Sequence, residues 1–504
     1  MNAISNVLSL FKWLFVRLPL AFSLPFGAMS LWWVLSGFRQ LNELVAAPLT
    51  NVAINFLQPE MLGSVGRTLT ANLGAFIHAA IVIGLFGLGF LVAYNLSALL
   101  NWVLLALKVK PVHYDAGPPW IPGPSTSEKD PFATVGNIGI VLAGGGAKGA
   151  FQAGAMKAIY QYLTKHNALN KVKAISGTSI GSWNALFWLA DLIESEQGGK
   201  GIHERWWCSI SAKSLAAPVW YVPFLRNSFL SSEPWQHVFD HVFGRGDVAK
   251  RIASSSIHFY LTRSNVRSGE LECVTNDPEP PVIPRVTYEI LDRNANAPVF
   301  LEGVRSGVFA SMDLPPLFPY VKRRDNLFED GGVVDNLPIV FPATVGCDLI
   351  FILPLNSDFE KEPNETSIMA RLFRVMDVRQ GALERNGFKM LYLYNELAVL
   401  RNLVQTIQVA HQMSKPPASS PLNFALSRKH KQISVFAVCP QKAFVQETID
   451  TQELWKSKEA GIAFDVMHQA TADLLGKFKF GEPQDTIKVA LISRGNKVTW
   501  DEQF

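Results

Sequence analysis

"ISGTSIGSWNALFWLAD", residues 175–191, places Ser179 between Gly177 and Gly181, where a short apolar run passes into a helical pattern. A serine at such a junction has two readings. It can cap the helix N-terminus, as serine commonly does. It can also stand on a sharp strand-to-helix turn as an exposed nucleophile, with small neighbours letting the chain fold back. The five residues from Gly177 to Gly181 do not separate the two, and the decision passes to what surrounds them.

Upstream, Ile138–Ala143 is a short apolar run that reads as a buried parallel strand. Gly144-Gly145-Gly146-Ala147-Lys148-Gly149 follows, and then apolar residues at helical spacing: Phe151, Ala155, Ala158, Ile159 and Leu163. Gly144-x-Gly146-x-x-Gly149 fits a dinucleotide fingerprint. However, the second strand, Val172–Ile175, runs into "SGTS" without the acidic residue that would hold a ribose. A P-loop fails as well, since Lys148 precedes Gly149 and Ala150 follows it. Two readings of the loop remain, a tight turn without chemistry and an oxyanion hole. In the second, glycine amides at a helix N-terminus point at developing negative charge. A crossover of about 30 residues sets two parallel strands in one sheet. Gly144, Gly145 and Gly146 would then lie at the strand end beside Ser179, which favours the nucleophile reading of Ser179 over the cap.

A serine hydroxyl needs a base. Histidine is the familiar one, but none of His203, His237, His241, His258, His411, His430 and His468 sits in a pattern that singles it out. "NLFEDGGVVDNLPI", residues 326–339, offers a carboxylate instead. Asp330 follows a short apolar start and precedes Gly331 and Gly332, which permit close backbone approach. Taken by itself, Asp-Gly-Gly is also a common turn.

Together these motifs resemble the patatin-like phospholipases, whose pattern is a GGGxxG loop, a GxSxG serine and a later DGG aspartate. The matches here are "GGGAKG" at 144–149, "GTSIG" at 177–181 and "DGG" at 330–332, with "ASMDLPPLFPYV" at 310–321 and "VVDNLPI" alongside. The resemblance covers roughly residues 137–355 and, more loosely, continues to about 475. It implies a three-layer α/β/α domain with a mainly parallel sheet. It also implies a Ser179–Asp330 dyad without histidine, oxyanion donors at Gly144–Gly146, and acyl transfer that uses no metal or cofactor. Lys148 stands where plant members usually carry arginine; it could hold a lipid phosphate or a loop carbonyl. The implied activity is hydrolysis of fatty-acyl esters of membrane glycerophospholipids. Rival readings are an acyltransferase on the same dyad and a non-catalytic membrane scaffold or lipid-transfer partner.

The 504-residue chain is 48% hydrophobic and only 17% charged, with a formal net charge of +4. The low charge points to a membrane, and the absence of basic runs interleaved with aromatics argues against nucleic acid. Residues 1–110 carry two uncharged stretches, 21 residues between Arg17 and Arg39 and 40 residues between Arg67 and Lys108. The second is long enough to span a bilayer, and Pro19 and Pro25 interrupt the first. Lys12, Arg17, Lys108 and Lys110 flank the pair against Arg39 and Arg67 between them. Two spans would therefore leave both ends, and the catalytic domain, on the cytoplasmic side of what reads as a bacterial inner membrane. Cys208, Cys273, Cys347 and Cys439 show no metal or disulfide spacing.

Residues 111–136, rich in Pro, Gly and Ser, read as a linker, 137–480 as the acyl hydrolase domain, and 481–504 as a tail. The aromatic-rich stretch 206–242 suits either a lid over the cleft or ordinary core packing. Residues 256–275 read as a hairpin, and 349–354 and "ISVFAVCP" as strands. Residues 366–413 read as a long helix, which would pack on the sheet or mediate homo-oligomerisation, and 451–478 as a closing helix.

Overall fold

The computed structural model describes residues 130–195, 200–210, 215–218, 228, 230–356, 368–410, 431–448, 457–481 and 487–501, together with Ile83, Gly84 and Gly87. The chain divides into two units, Met1–Pro111 with Ala217–Leu230, and Val112–Ala216 with Ser231–Phe504. Apart from Ile83, Gly84 and Gly87, the two apolar stretches and the flanking basic residues of 1–110 lie outside the described residues. Among those described, no helix is long and apolar enough to cross a membrane.

The second unit is built on strand β1 (Ile138–Leu142), buried at every position. The continuous apolar run is what a central parallel strand, covered on both faces, requires. The chain leaves β1 through helix α1 (Gly149–Lys165) and returns as β2 (Val172–Thr178), parallel to β1. Helices α2 (Ile180–Leu189), α3 (Ile202–Ser209), α4 (Glu233–Phe243) and α5 (Gly246–Ser254) follow. Then come β3 (His258–Asn265), parallel to β2, and β4 (Leu271–Thr275), which forms the expected hairpin with β3. Strand β5 (Val286–Ile290) pairs with β4, and helix α6 (Ala297–Met312) packs on β3. Strands β6 (Val321–Arg323) and β7 (Asn326–Asp330) form a second hairpin, and helix α7 (Val340–Val345) follows.

The chain then crosses to the other side of β1. Strand β8 (Leu349–Leu353) pairs parallel with β1. After the long helix α8 (Ile368–Ala410), strand β9 (Ser434–Pro440) pairs parallel with β8. Helices α9 (Lys442–Thr448) and α10 (Ser457–Leu475) lead to β10 (Val489–Ile492) and the antiparallel edge strand β11 (Val498–Asp501). The winding thus reverses between β1 and β8. In open α/β sheets, ligands bind at the carboxyl ends of the strands at such a point.

Three sequence boundaries move. The tail, set apart at 481–504, contributes β10 and β11 to the sheet. The linker, drawn through residue 136, ends earlier, because Phe132 and Val135 are core residues and Phe132 packs on Tyr162 and Phe480. Strand β2 runs three residues beyond Ile175, to the serine itself.

The aromatic stretch resolves, where described, as core. Trp206, Trp207, Trp235 and Phe239 are buried, and Trp183 packs against Trp206, Trp235 and Phe239. Helix α10 lies against α1 so closely that a Cβ at Gly154 would sit 2.1 Å from the Phe464 carbonyl oxygen. Because that neighbour is backbone, Gly154→Ala must push the helices apart. It is expected to cost about 1–3 kcal/mol, read as a lower denaturation midpoint with unchanged slope. A midpoint equal to wild type would contradict this packing.

Candidate active site

β2 ends at Thr178 and α2 begins at Ile180, so Ser179 alone makes the turn between them. Its backbone sits at φ 54° and ψ −124°, a conformation that a residue with a side chain rarely adopts. Its side chain makes no capping hydrogen bond, which removes the helix-cap reading. Contact requires the flanking glycines. A Cβ at Gly177 would lie 2.7 Å from the Gly181 carbonyl, and one at Gly181 would lie 2.3 Å from the Leu142 carbonyl oxygen at the end of β1. The Ser179 N–H donates to Ser311 Oγ at 2.8 Å, so the last turn of α6 holds the elbow.

The sheet register brings Asp330 to the serine. Along one edge of β3, Thr178 of β2 pairs with Thr262, and on the next residue Arg263 pairs with Asp330 of β7. The other edge of β3 is taken by β4. The chain carrying the serine and the chain carrying the acid therefore meet end to end along the same edge. Asp330 is fully buried, and Oδ1 accepts from Gly332 N at 2.7 Å. Gly331 lies so close to β3 that a Cβ would come within 2.5 Å of the Thr262 carbonyl oxygen.

Burial pushes the Asp330 carboxyl up to about 7. The Ser179 hydroxyl and the Gly332 N–H pull it down, and the Glu329 charge pushes it up again. Among the described residues Oδ2 has no hydrogen-bond partner, and the Ser179 hydroxyl favours the ionised form. Catalytic hydrogen bonds are commonly long before substrate binds. Asp313, buried at the end of α6, accepts from the Asp330 N–H through its carbonyl at 3.1 Å. Burial, and after it the Asp330 charge, push its own carboxyl well above the usual carboxylate range. Among the described residues no histidine bonds to Ser179 or Asp330. His203 is instead buried beside Asn184, and burial lowers its pKa to about 3.

The glycine loop leaves β1 at the winding reversal. Gly144 lies against the serine, since a Cβ there would be 3.0 Å from Ser179 Cβ. Its N–H is already committed to the Asn336 carbonyl at 3.2 Å. Of the three expected donors, Gly144 is therefore taken, while among the described residues no backbone acceptor engages the N–H of Gly145 or Gly146. Gly149 starts α1 in contact with Ile180 and Trp207. Lys148 is held by two side chains. Its ammonium bonds Asn356 Oδ1 and pairs with Asp377 at 3.4 Å, with 15% of the side chain exposed.

Several site residues were not visible in the sequence: Ser311, Asn336, Asn356 and Glu384. Ser311 and Asn336 carried a signal, as parts of "ASMDLPPLFPYV" and "VVDNLPI".

A parallel sheet with a serine on a strained strand-to-helix turn at a strand's carboxyl end is the arrangement of α/β enzymes that carry a nucleophile elbow. Residues 140–342 match the family model described as patatin-like phospholipase, which makes this part of the chain a patatin-like domain. Lysophospholipase NTE1 of Phaeosphaeria nodorum is 26% identical over 234 residues, which make up 45% of this chain and 12% of that protein. Lysophospholipase nte1 of Aspergillus oryzae is 25% identical over 235 residues, again 12% of its length. The match to these curated relatives thus spans a small part of their length. The crystal structure of VipD from Legionella pneumophila aligns over 68% of this chain and 67% of its own at 14% identity, with a TM-score of 0.29, too loose to bear on the fold.

Ser311→Ala would leave the buried Ser179 N–H without an acceptor, a loss of about 1–3 kcal/mol. A drop in the unfolding midpoint, reversed by Ser311→Thr, is expected; stability equal to wild type would show that α6 does not hold the elbow.

Proposed function

We propose that this chain is a membrane-anchored serine lipid acyl hydrolase of the phospholipase A or lysophospholipase type. It would cleave fatty-acyl esters of membrane glycerophospholipids through a Ser179–Asp330 dyad. The observation that carries the reading is the meeting of a strained serine and a buried carboxyl on the one edge of β3. The names of the relatives, lysophospholipases, favour a lipid ester as substrate. Attachment through residues 1–110 rests on their two uncharged stretches.

In this mechanism ionised Asp330 takes the proton of Ser179 as Oγ attacks the ester carbonyl carbon. The carbonyl oxygen becomes an oxyanion facing the N–H groups of Gly145 and Gly146. Collapse breaks the bond to the alcohol, and Asp330 returns the proton to that leaving oxygen. Water then attacks the acyl-enzyme, Asp330 takes its proton, and fatty acid leaves as the proton passes back to Ser179. An ordinary aspartate is too weak a base for this at neutral pH, and a base works best with a pKa near the working pH. Burial supplies that match here.

Wild type and Ser179→Ala, incubated with mixed phospholipids and lysophospholipids, test the assignment by mass spectrometry of released fatty acid. Turnover is expected to fall by roughly 10³-fold or more in the variant, and equal release from both would sink it. The pH profile of kcat/KM tests the base. Asp330 acts only when ionised, so the rate should climb as pH rises through about 7. Glu329→Gln removes a charge that pushes this carboxyl up, so the acid limb should move to lower pH. A limb that stays put or moves upward would contradict the role of Asp330.

A further inference from the structure

Asn336 holds both sides of Gly144. Its carbonyl accepts the Gly144 N–H at 3.2 Å, and its Nδ2 donates to the Gly144 carbonyl oxygen at 3.1 Å. The second proton of Nδ2 goes to Glu384 Oε1 at 2.6 Å. With both protons of Nδ2 spent on acceptors, the orientation of the amide is fixed by its partners. Glu384 comes from α8, about 50 residues further along the chain, and is fully buried. The same Oε1 also accepts from Asn356 Nδ2 at 2.7 Å, and Oε2 accepts from the Asn356 N–H at 3.3 Å. Asn356 Oδ1 in turn takes the Lys148 ammonium. Every partner of Glu384 in this cluster is a donor, which suits a carboxylate, an acceptor-only group when ionised.

The geometry has a directional consequence. In a trans peptide the C=O and the following N–H point in opposite directions. Drawing the Gly144 carbonyl oxygen toward Asn336 therefore turns the Gly145 N–H away from Asn336. A side chain at Gly145 would meet Leu355, and one at Gly144 would meet both Asn336 and Ser179, so the loop has little room to settle elsewhere. We infer that Glu384, acting through Asn336, is a positioning residue that sets the Gly144–Gly145 peptide plane and so aims the Gly145 N–H at the oxyanion. This rests on the acyl-hydrolase reading above and adds to it a buried acid, on the long helix α8, that touches no substrate. Burial raises the Glu384 carboxyl to about 7, against the pull of Asn356, Lys148 and Asn336; the donors gathered around it are what favour its charged form.

The test uses full-length protein in detergent, p-nitrophenyl butyrate as substrate and a butyl trifluoromethyl ketone as an oxyanion-forming inhibitor. Glu384→Gln keeps the shape but meets three donor N–H groups with an amide that also donates. Asn336→Ala removes the link itself, and if one variant fails to fold the other carries the test. Removing an oxyanion donor costs ~10²–10³ in rate, so misaiming one is expected to lower kcat roughly 10- to 100-fold with KM within about twofold. Inhibitor affinity should fall in parallel with kcat/KM, and the double variant should lose little more than Asn336→Ala alone. A folded variant with wild-type kcat, or one whose KM rises while kcat holds, overturns the positioning role while leaving the hydrolase reading intact. Wild type that lacks Ser179-dependent turnover overturns both.

Discussion

One edge of β3 serves two strands in succession. Strand β2 pairs with it up to Thr262, and β7 takes over at Arg263. Two segments about 150 residues apart in sequence are thereby forced to end against each other, one at Ser179 and one at Asp330. Much of the rest of the domain maintains that junction. The last turn of α6 binds the Ser179 backbone through Ser311 and the Asp330 backbone through Asp313. Gly181 lets the start of α2 press on the end of β1, and Gly331 lets the chain hug β3.

The same burial that fixes Asp330 changes its chemistry. In water an aspartate is mostly ionised and weakly basic at neutral pH. In this site desolvation raises the carboxyl to about 7, and the hydroxyl and amide around it keep the ionised form accessible. A histidine is not needed to reach that range, and none contacts either residue among those described. Behind the glycine loop a second buried acid, Glu384, is raised to a similar range but is surrounded by amides and a lysine rather than by a serine hydroxyl. Two carboxyls with similar shifts thus have different proposed roles, set by what they touch.

The sequence made some of this readable and hid the rest for physical reasons. The β1–loop–α1–β2 unit was legible because its signals are local: an apolar run, glycines at the turn, helical spacing. Asp330 could be picked out by its glycines and by family resemblance, but its place beside Ser179 depends on the register of β7 on β3, which no local pattern encodes. Glu384 was invisible, because one charge on a helix that also carries Arg385 and Lys389 looks like a solvated face until tertiary packing buries it. The strands of 489–501 were missed because they are short and one is only partly buried at the sheet edge. A run of three glycines likewise does not reveal which N–H is already bonded, here that of Gly144.

The central claim is that Asp330, with no histidine, activates Ser179. Labelling with an alkyl fluorophosphonate, followed by peptide mapping across a pH series, tests it most directly. The account predicts one adduct, on the peptide that contains Ser179, forming at a rate that rises as pH passes through about 7 and is lost in Asp330→Asn. An adduct on another serine, or undiminished labelling of Ser179 in Asp330→Asn, would contradict it.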